Sequence, residues 1–114
     1  MLLNKTNLTI PHKIRALLRK YNLGILFIHS NKFRYMLKGW GLSGNTIAVA
    51  STQAKMIVID SQWVSKLNLT QPQLNFLILH EIGHAGKYRG TEKGADRSAV
   101  GMSIYYKIPI DKWD

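Results

Sequence analysis

Apolar positions along the chain change their period from segment to segment, and the changes mark out the elements. Between Pro11 and Tyr21, Ile14, Leu17 and Leu18 recur at helical spacing, while Lys13, Arg15, Arg19 and Lys20 lie mostly off that stripe. A helix is predicted there, with Pro11 in its first turn and Asn22 and Gly24 closing it. Ile25–His29 is a short apolar run that reads as a buried strand. Thr46–Ala50 and Met56–Ile59, rich in Val and Ile, are two further strands, joined by a linker, Ser51–Lys55, short enough for a hairpin. Asn31–Lys38 mixes basic and aromatic residues and fits either a half-exposed strand or a short helix. Gly39-Trp40-Gly41 and Ser43-Gly44-Asn45 punctuate a loop and turn.

The second half of the chain reads as helical. Asp60 and Ser61 end the last strand, and Trp63–Leu67 leaves room for a helical turn. Thr70-Gln71-Pro72-Gln73 has the form of a capping box with Pro in the first turn. Leu74, Leu77, Ile78 and Ile82 then make a core stripe. Gly83 permits a close approach by another element, and Gly86 suits the position just past the helix end. Thr91 caps a last helix crowded with small residues, among them Gly94, Ala95, Ser98, Ala99, Gly101 and Ser103. Val100 and Ile104 are expected to supply its core contacts, Pro109 to stop it, and Trp113 to pin the tail. Residues 1–9 are expected to be loosely held. The predicted fold class is α+β: an N-terminal helix, a small twisted sheet of about three strands, then two helices packed as a hairpin.

Composition narrows this picture. A chain of 114 residues is long enough for one domain, 1–114, with a real core, and too short for two. An apolar content of 46% with three Trp excludes a disordered chain. The absence of Cys removes disulfides and thiolate metal sites, and fits a reducing, cytoplasmic setting. MLLNKTNLTI lacks a long apolar run after a basic start, so no signal peptide is expected. The longest apolar runs, GILFI and FLIL, are too short to span a membrane.

Sixteen Lys and Arg against six Asp and Glu give a formal charge of +10, which favours an acidic partner: nucleic acid, an anionic membrane or an acidic polypeptide. The first helix and KFRYMLK can each contact nucleic acid, but solvated faces have the same composition. No GxxxxGK[ST] pattern is present, which rejects a phosphate loop.

The chemistry concentrates in Leu74–Asp96, LNFLILHEIGHAGKYRGTEKGAD. His80, Glu81 and His84 stand as H-E-x-x-H within the predicted helix. Residues four apart share a helical face, so His80 and His84 can aim two imidazoles at one point. Glu81, beside the first of them, is placed to act on water rather than to bind a metal. Chance produces the pattern in roughly two or three of a thousand such chains. Glu81 and Glu92 are moreover the only glutamates, and both fall in this stretch. Glu92 and Asp96, again four apart, offer two carboxylates on one face, so spacing alone does not choose the third ligand.

H-E-x-x-H followed by E-x-x-A-D resembles the gluzincin metallopeptidases. IVIDSQWVSKLNLTQPQLNFLILHEIGHA is similar to their small ImmA/IrrE-type (minigluzincin-type) members, in which a strand leads through a short loop into the zinc helix. The resemblance covers roughly residues 55–103 and implies one Zn²⁺ per chain held by His80, His84 and Glu92. It further implies that Asp96 holds a ligand histidine by a hydrogen bond and that Glu81 is the catalytic base. The implied activity is zinc-dependent endopeptidase cleavage of a polypeptide substrate. The small members act on DNA-bound regulators, so a nucleic-acid-associated partner is compatible with the charge.

One departure stands out: only seven residues separate His84 from Glu92, which excludes a large domain between the motifs. The metzincin alternative fails because the position six after His84 is Gly90. Tyr88, in the turn between the ligands, is the candidate donor to a transition-state oxyanion, with Arg97, Tyr105 and Tyr106 as others. The competing function is a basic nucleic-acid-binding or regulatory protein with a structural or non-catalytic zinc. A structural site normally takes four protein ligands, and only three are in hand unless His12 or His29 joins them.

Overall fold

The computed structural model describes residues 8–42, 46–87 and 91–112. It is an α+β fold with the order α1 (His12–Lys20), β1 (Gly24–Ile28), α2 (Ser30–Gly39), β2 (Ala48–Ser51), β3 (Met56–Asp60), α3 (Ser61–Lys66), α4 (Gln71–Ile82), a π turn (Gly83–Lys87) and α5 (Glu92–Tyr106). No helix among the described residues is long and apolar enough to cross a membrane.

The sheet is three-stranded in the order β1-β3-β2. β3 pairs parallel with β1 and antiparallel with β2, in register Leu26↔Val58 and Val49↔Val58. Its alternation sorts the two cores. Ile57 and Ile59 join the larger cluster with Ile14, Leu17, Leu74, Ile78 and Met102, whereas Val58 packs with Phe33 and Leu37 of α2 on the opposite face. A strand covered on both faces is expected to be apolar throughout, as Met56–Ile59 is.

Asp60 ties the sheet to the helices beyond it. Fully buried, its Oδ1 accepts from Gln62 N, Trp63 N and Ser30 Oγ (2.6 Å), and its Oδ2 lies 3.6 Å from Arg34 Nη2. The carboxylate thus caps α3 and holds the start of α2.

α4 begins with the capping box: Gln73 N donates to Thr70 Oγ1 (3.3 Å) and Thr70 N to Gln73 Oε1 (2.9 Å). Leu74 through Leu79 are all buried, because α4 packs against α1, the sheet and α5.

Of the two forms expected for Asn31–Lys38 the helix is the one found, inside α2. Several other expectations need correction. Leu8 is buried, and Thr9 exchanges hydrogen bonds with the Gln71 side chain (3.0 and 2.9 Å), so residues 8 and 9 are fixed rather than loose. Gly86 does not terminate a helix; α4 passes directly into the π turn that contains it. Val100 and Ile104 are 44% and 73% exposed, and the packed face of α5 is Gly94, Ala95, Ala99 and Met102. Large apolar side chains were expected inward, but the close approach of α5 to α4 admits only small ones along most of that face. α5 ends at Tyr106, with Lys107 in the left-handed conformation (φ 56°), before Pro109 is reached. Ser43-Gly44-Asn45, residues 1–7 and Trp113 lie outside the described residues.

Candidate metal centre

Three elements build the site. α4 carries His80 and Glu81, the π turn carries His84, and the first residue of α5 is Glu92. Thr91 caps α5 by accepting from Gly94 N (3.0 Å), which fixes where Glu92 starts. Gly83 brings the two segments together. A Cβ there would stand 3.2 Å from Ala95 O and from Ser98 Cβ, closer than packing ordinarily permits.

His80 Nε2, His84 Nε2 and the Glu92 carboxylate converge. His80 Nε2 lies 2.9 Å from Glu92 Oε1, His84 Nε2 lies 2.9 Å from Glu92 Oε2, and the two imidazole nitrogens are 3.1 Å apart. Ligands about 2.0–2.1 Å from a tetrahedral Zn²⁺ stand about 3.3 Å from one another, so one ion fits this triangle with small adjustments. His80 Nδ1 lies 2.7 Å from Asp96 Oδ1. An ionised carboxylate only accepts, so Nδ1 carries a hydrogen to Asp96 and Nε2 is turned toward the Glu92 oxygen. Lone pairs facing lone pairs at these distances call for a cation, either a proton or a metal. The donor set of two imidazoles and one carboxylate suits zinc, and among the described residues this is the group that can hold a metal ion.

Access is one-sided. The side chains of His80 and His84 are 12% and 21% exposed, and that of Glu92 is 82% exposed. The ligand triangle therefore opens to solvent on the Glu92 side. Glu81, next to His80 in α4, is 6% exposed. Burial pushes its carboxyl up from 4.5 to about 7; the His80 charge opposes this and Glu92 adds to it. The π turn bearing His84 also contacts β2, the sheet edge to which no further strand pairs among the described residues.

The other histidines stay apart. His12 is the exposed first residue of α1. His29 is the exposed N-cap of α2, its Nδ1 accepting from Asn31 N at 3.2 Å. Tyr105 and Tyr106 end α5, about 20 Å from Glu92 at 1.5 Å per residue, and so cannot act at its carboxylate. Arg97 is exposed on the same helix, and Tyr88 lies outside the described residues. Lys112, unsuspected from the sequence, places its Nζ 3.7 Å from Asp96 Oδ2. No local pattern signals this contact, because it depends on the tail folding back along α4, where Asp111 N donates to Pro72 O (3.1 Å).

No protein-family model matches this chain, and comparisons with curated proteins and with solved structures return no similar protein.

Proposed function

We propose that this chain is a zinc-dependent endopeptidase of gluzincin type, similar to the small ImmA/IrrE-like members, with His80, His84 and Glu92 holding one Zn²⁺. The observation that carries the reading is the convergence of those three donors, with Asp96 fixing the His80 tautomer and the buried Glu81 alongside. The chemistry zinc supplies when bound is Lewis acidity toward water and toward a peptide carbonyl.

Glu81 takes the proton from the attacking water and delivers it to the leaving amine, a role suited to a carboxyl whose affinity for protons lies near neutrality. Asp96 keeps the His80 lone pair aimed outward. The unpaired edge of β2, beside the His84 segment, offers backbone groups to an extended polypeptide substrate. A cytoplasmic setting goes with this reading and with the absence of cysteine.

The test is cleavage of a peptide library by the zinc-loaded chain and by Glu81→Gln. The variant is expected to keep zinc and lose hydrolysis. Full zinc without cleavage in either protein would instead favour a non-catalytic, regulatory metal site.

A further inference from the structure

The acidic residues are distributed with a bias that the metal centre does not explain. None occurs before Asp60, which is fully buried; Glu81 is buried too, and Glu92 and Asp96 belong to the metal centre. Among the described residues of that half, the exposed Lys13, Arg19, Lys20, Lys32, Lys38 and Lys55 have no acid of the same half to offset them. On α1 the exposed residues His12, Lys13, Ala16, Arg19 and Lys20 occupy one arc of about 120°, opposite the buried Ile14, Leu17 and Leu18.

That arc meets the far end of α5. Lys13 Nζ donates to Lys107 O (3.2 Å) and Lys20 Nζ to Tyr106 Oη (3.2 Å). The Lys20 ammonium also lies 5.6 Å from the Tyr21 ring centre and 6.0 Å from that of Tyr106. Tyr105 packs edge-on against Tyr106 (4.8 Å between centres) yet is itself 79% exposed. Cations held beside Tyr106, on which the open ring of Tyr105 packs, have the make-up of a surface for single-stranded nucleic acid, where phosphates meet the charges and bases stack on the ring.

We propose that the surface formed by α1 and the C-terminal turn of α5 binds single-stranded nucleic acid, with Lys13, Arg19, Lys20 and Lys107 on phosphates and Tyr105 under a base. A duplex would use the charges but leave the ring without a base face. A membrane would need a broad apolar face, whereas the α1 arc offers only Ala16 and the α5 turn only Ile104 beside Tyr105. The basic residues of α2 form a weaker candidate: Lys32 and Lys38 flank exposed Tyr35, but Arg34 is drawn to Thr46 O (3.0 Å) and Asp60. The inference stands independently of the peptidase reading.

Anisotropy of a labelled single-stranded oligonucleotide across a salt series tests it. The triple variant Lys13→Gln/Arg19→Gln/Lys20→Gln should reduce the log–log salt slope by about 2, at about 0.7 per phosphate contact. Tyr105→Ala should weaken binding on the order of 10-fold with the slope unchanged. Lys32→Gln/Lys38→Gln should change little, and Glu81→Gln should bind as the parent chain does, which separates this test from that of hydrolysis.

Circular dichroism checks that each variant is folded. The proposal is overturned by absence of binding at low salt, or by equal losses from the α2 pair and the α1 triple. It also falls if duplex binds as tightly with no Tyr105 effect, or if phosphatidylserine vesicles bind the chain and the oligonucleotide does not.

Discussion

A carboxyl group with 6% of its surface in water, as at Glu81, is costly to ionise, and the cost appears as a dependence of stability on pH. In the metal-free chain its pKa is raised from 4.5, the value expected when unfolded, to about 7. Between these values the folded state keeps a proton that the unfolded state has lost, so this group makes stability fall as pH rises. Below the window it contributes nothing. Above it the deficit is complete, at roughly 3 kcal/mol. Glu81→Gln has no such proton. With chelator present, urea melts should show the variant more stable than the parent by up to that amount above the window, with the gain disappearing below it. A constant difference across pH would mean that Glu81 is not held protonated by burial. The sequence suggested this residue through H-E-x-x-H, a local pattern that needs only a helix to bring His80 and His84 together. Its burial, by contrast, depends on elements packed around it and has no signature in the motif.

Among the elements, α4 and α5 were legible to different degrees. The capping box and the stripe of Leu74, Leu77, Ile78 and Ile82 read directly, because the capping bonds are local and α4 is buried. α5 misled at Val100 and Ile104, since helix contact here is governed by how closely two backbones approach, not by side-chain hydrophobicity. The parallel pairing of β1 with β3 has no local signature either, while the β2–β3 hairpin could be read from its short linker.

Two glycines isolate the effect of close approach. At Gly101 an added Cβ meets nothing within 4 Å, so Gly101→Ala should stabilise by roughly 0.5–1 kcal/mol through helix propensity. At Gly83 the same methyl would press on Ala95 O and Ser98 Cβ at 3.2 Å. Overpacking costs typically about 1–3 kcal/mol, so Gly83→Ala should be destabilising despite its propensity gain, and should weaken zinc binding by displacing α5. Thermal melts of the two variants decide this; stabilisation by both would show that the helices are not as tightly apposed as described.

At the scale of the whole molecule, the candidate metal centre forms only where the fold joins segments that the chain separates. His80 and His84 come from α4 and its π turn, Glu92 from the start of α5, and Asp96 returns from one turn further on to hold His80. The seven residues between His84 and Glu92 suffice because the π turn continues α4 and Thr91 restarts the next helix at the site. Zinc binding should therefore report the tertiary arrangement as well as the ligands, and bound zinc should stabilise the fold by mass action. The most direct measurement is zinc competition against a chromophoric chelator for the parent chain, Glu92→Gln and Asp96→Asn. The parent should take up one zinc per chain, Glu92→Gln should hold almost none, and Asp96→Asn should bind about 10–100-fold more weakly but detectably. A parent chain that binds no zinc, or an Asp96→Asn variant emptier than Glu92→Gln, would contradict the assignment of His80, His84 and Glu92 as the ligands.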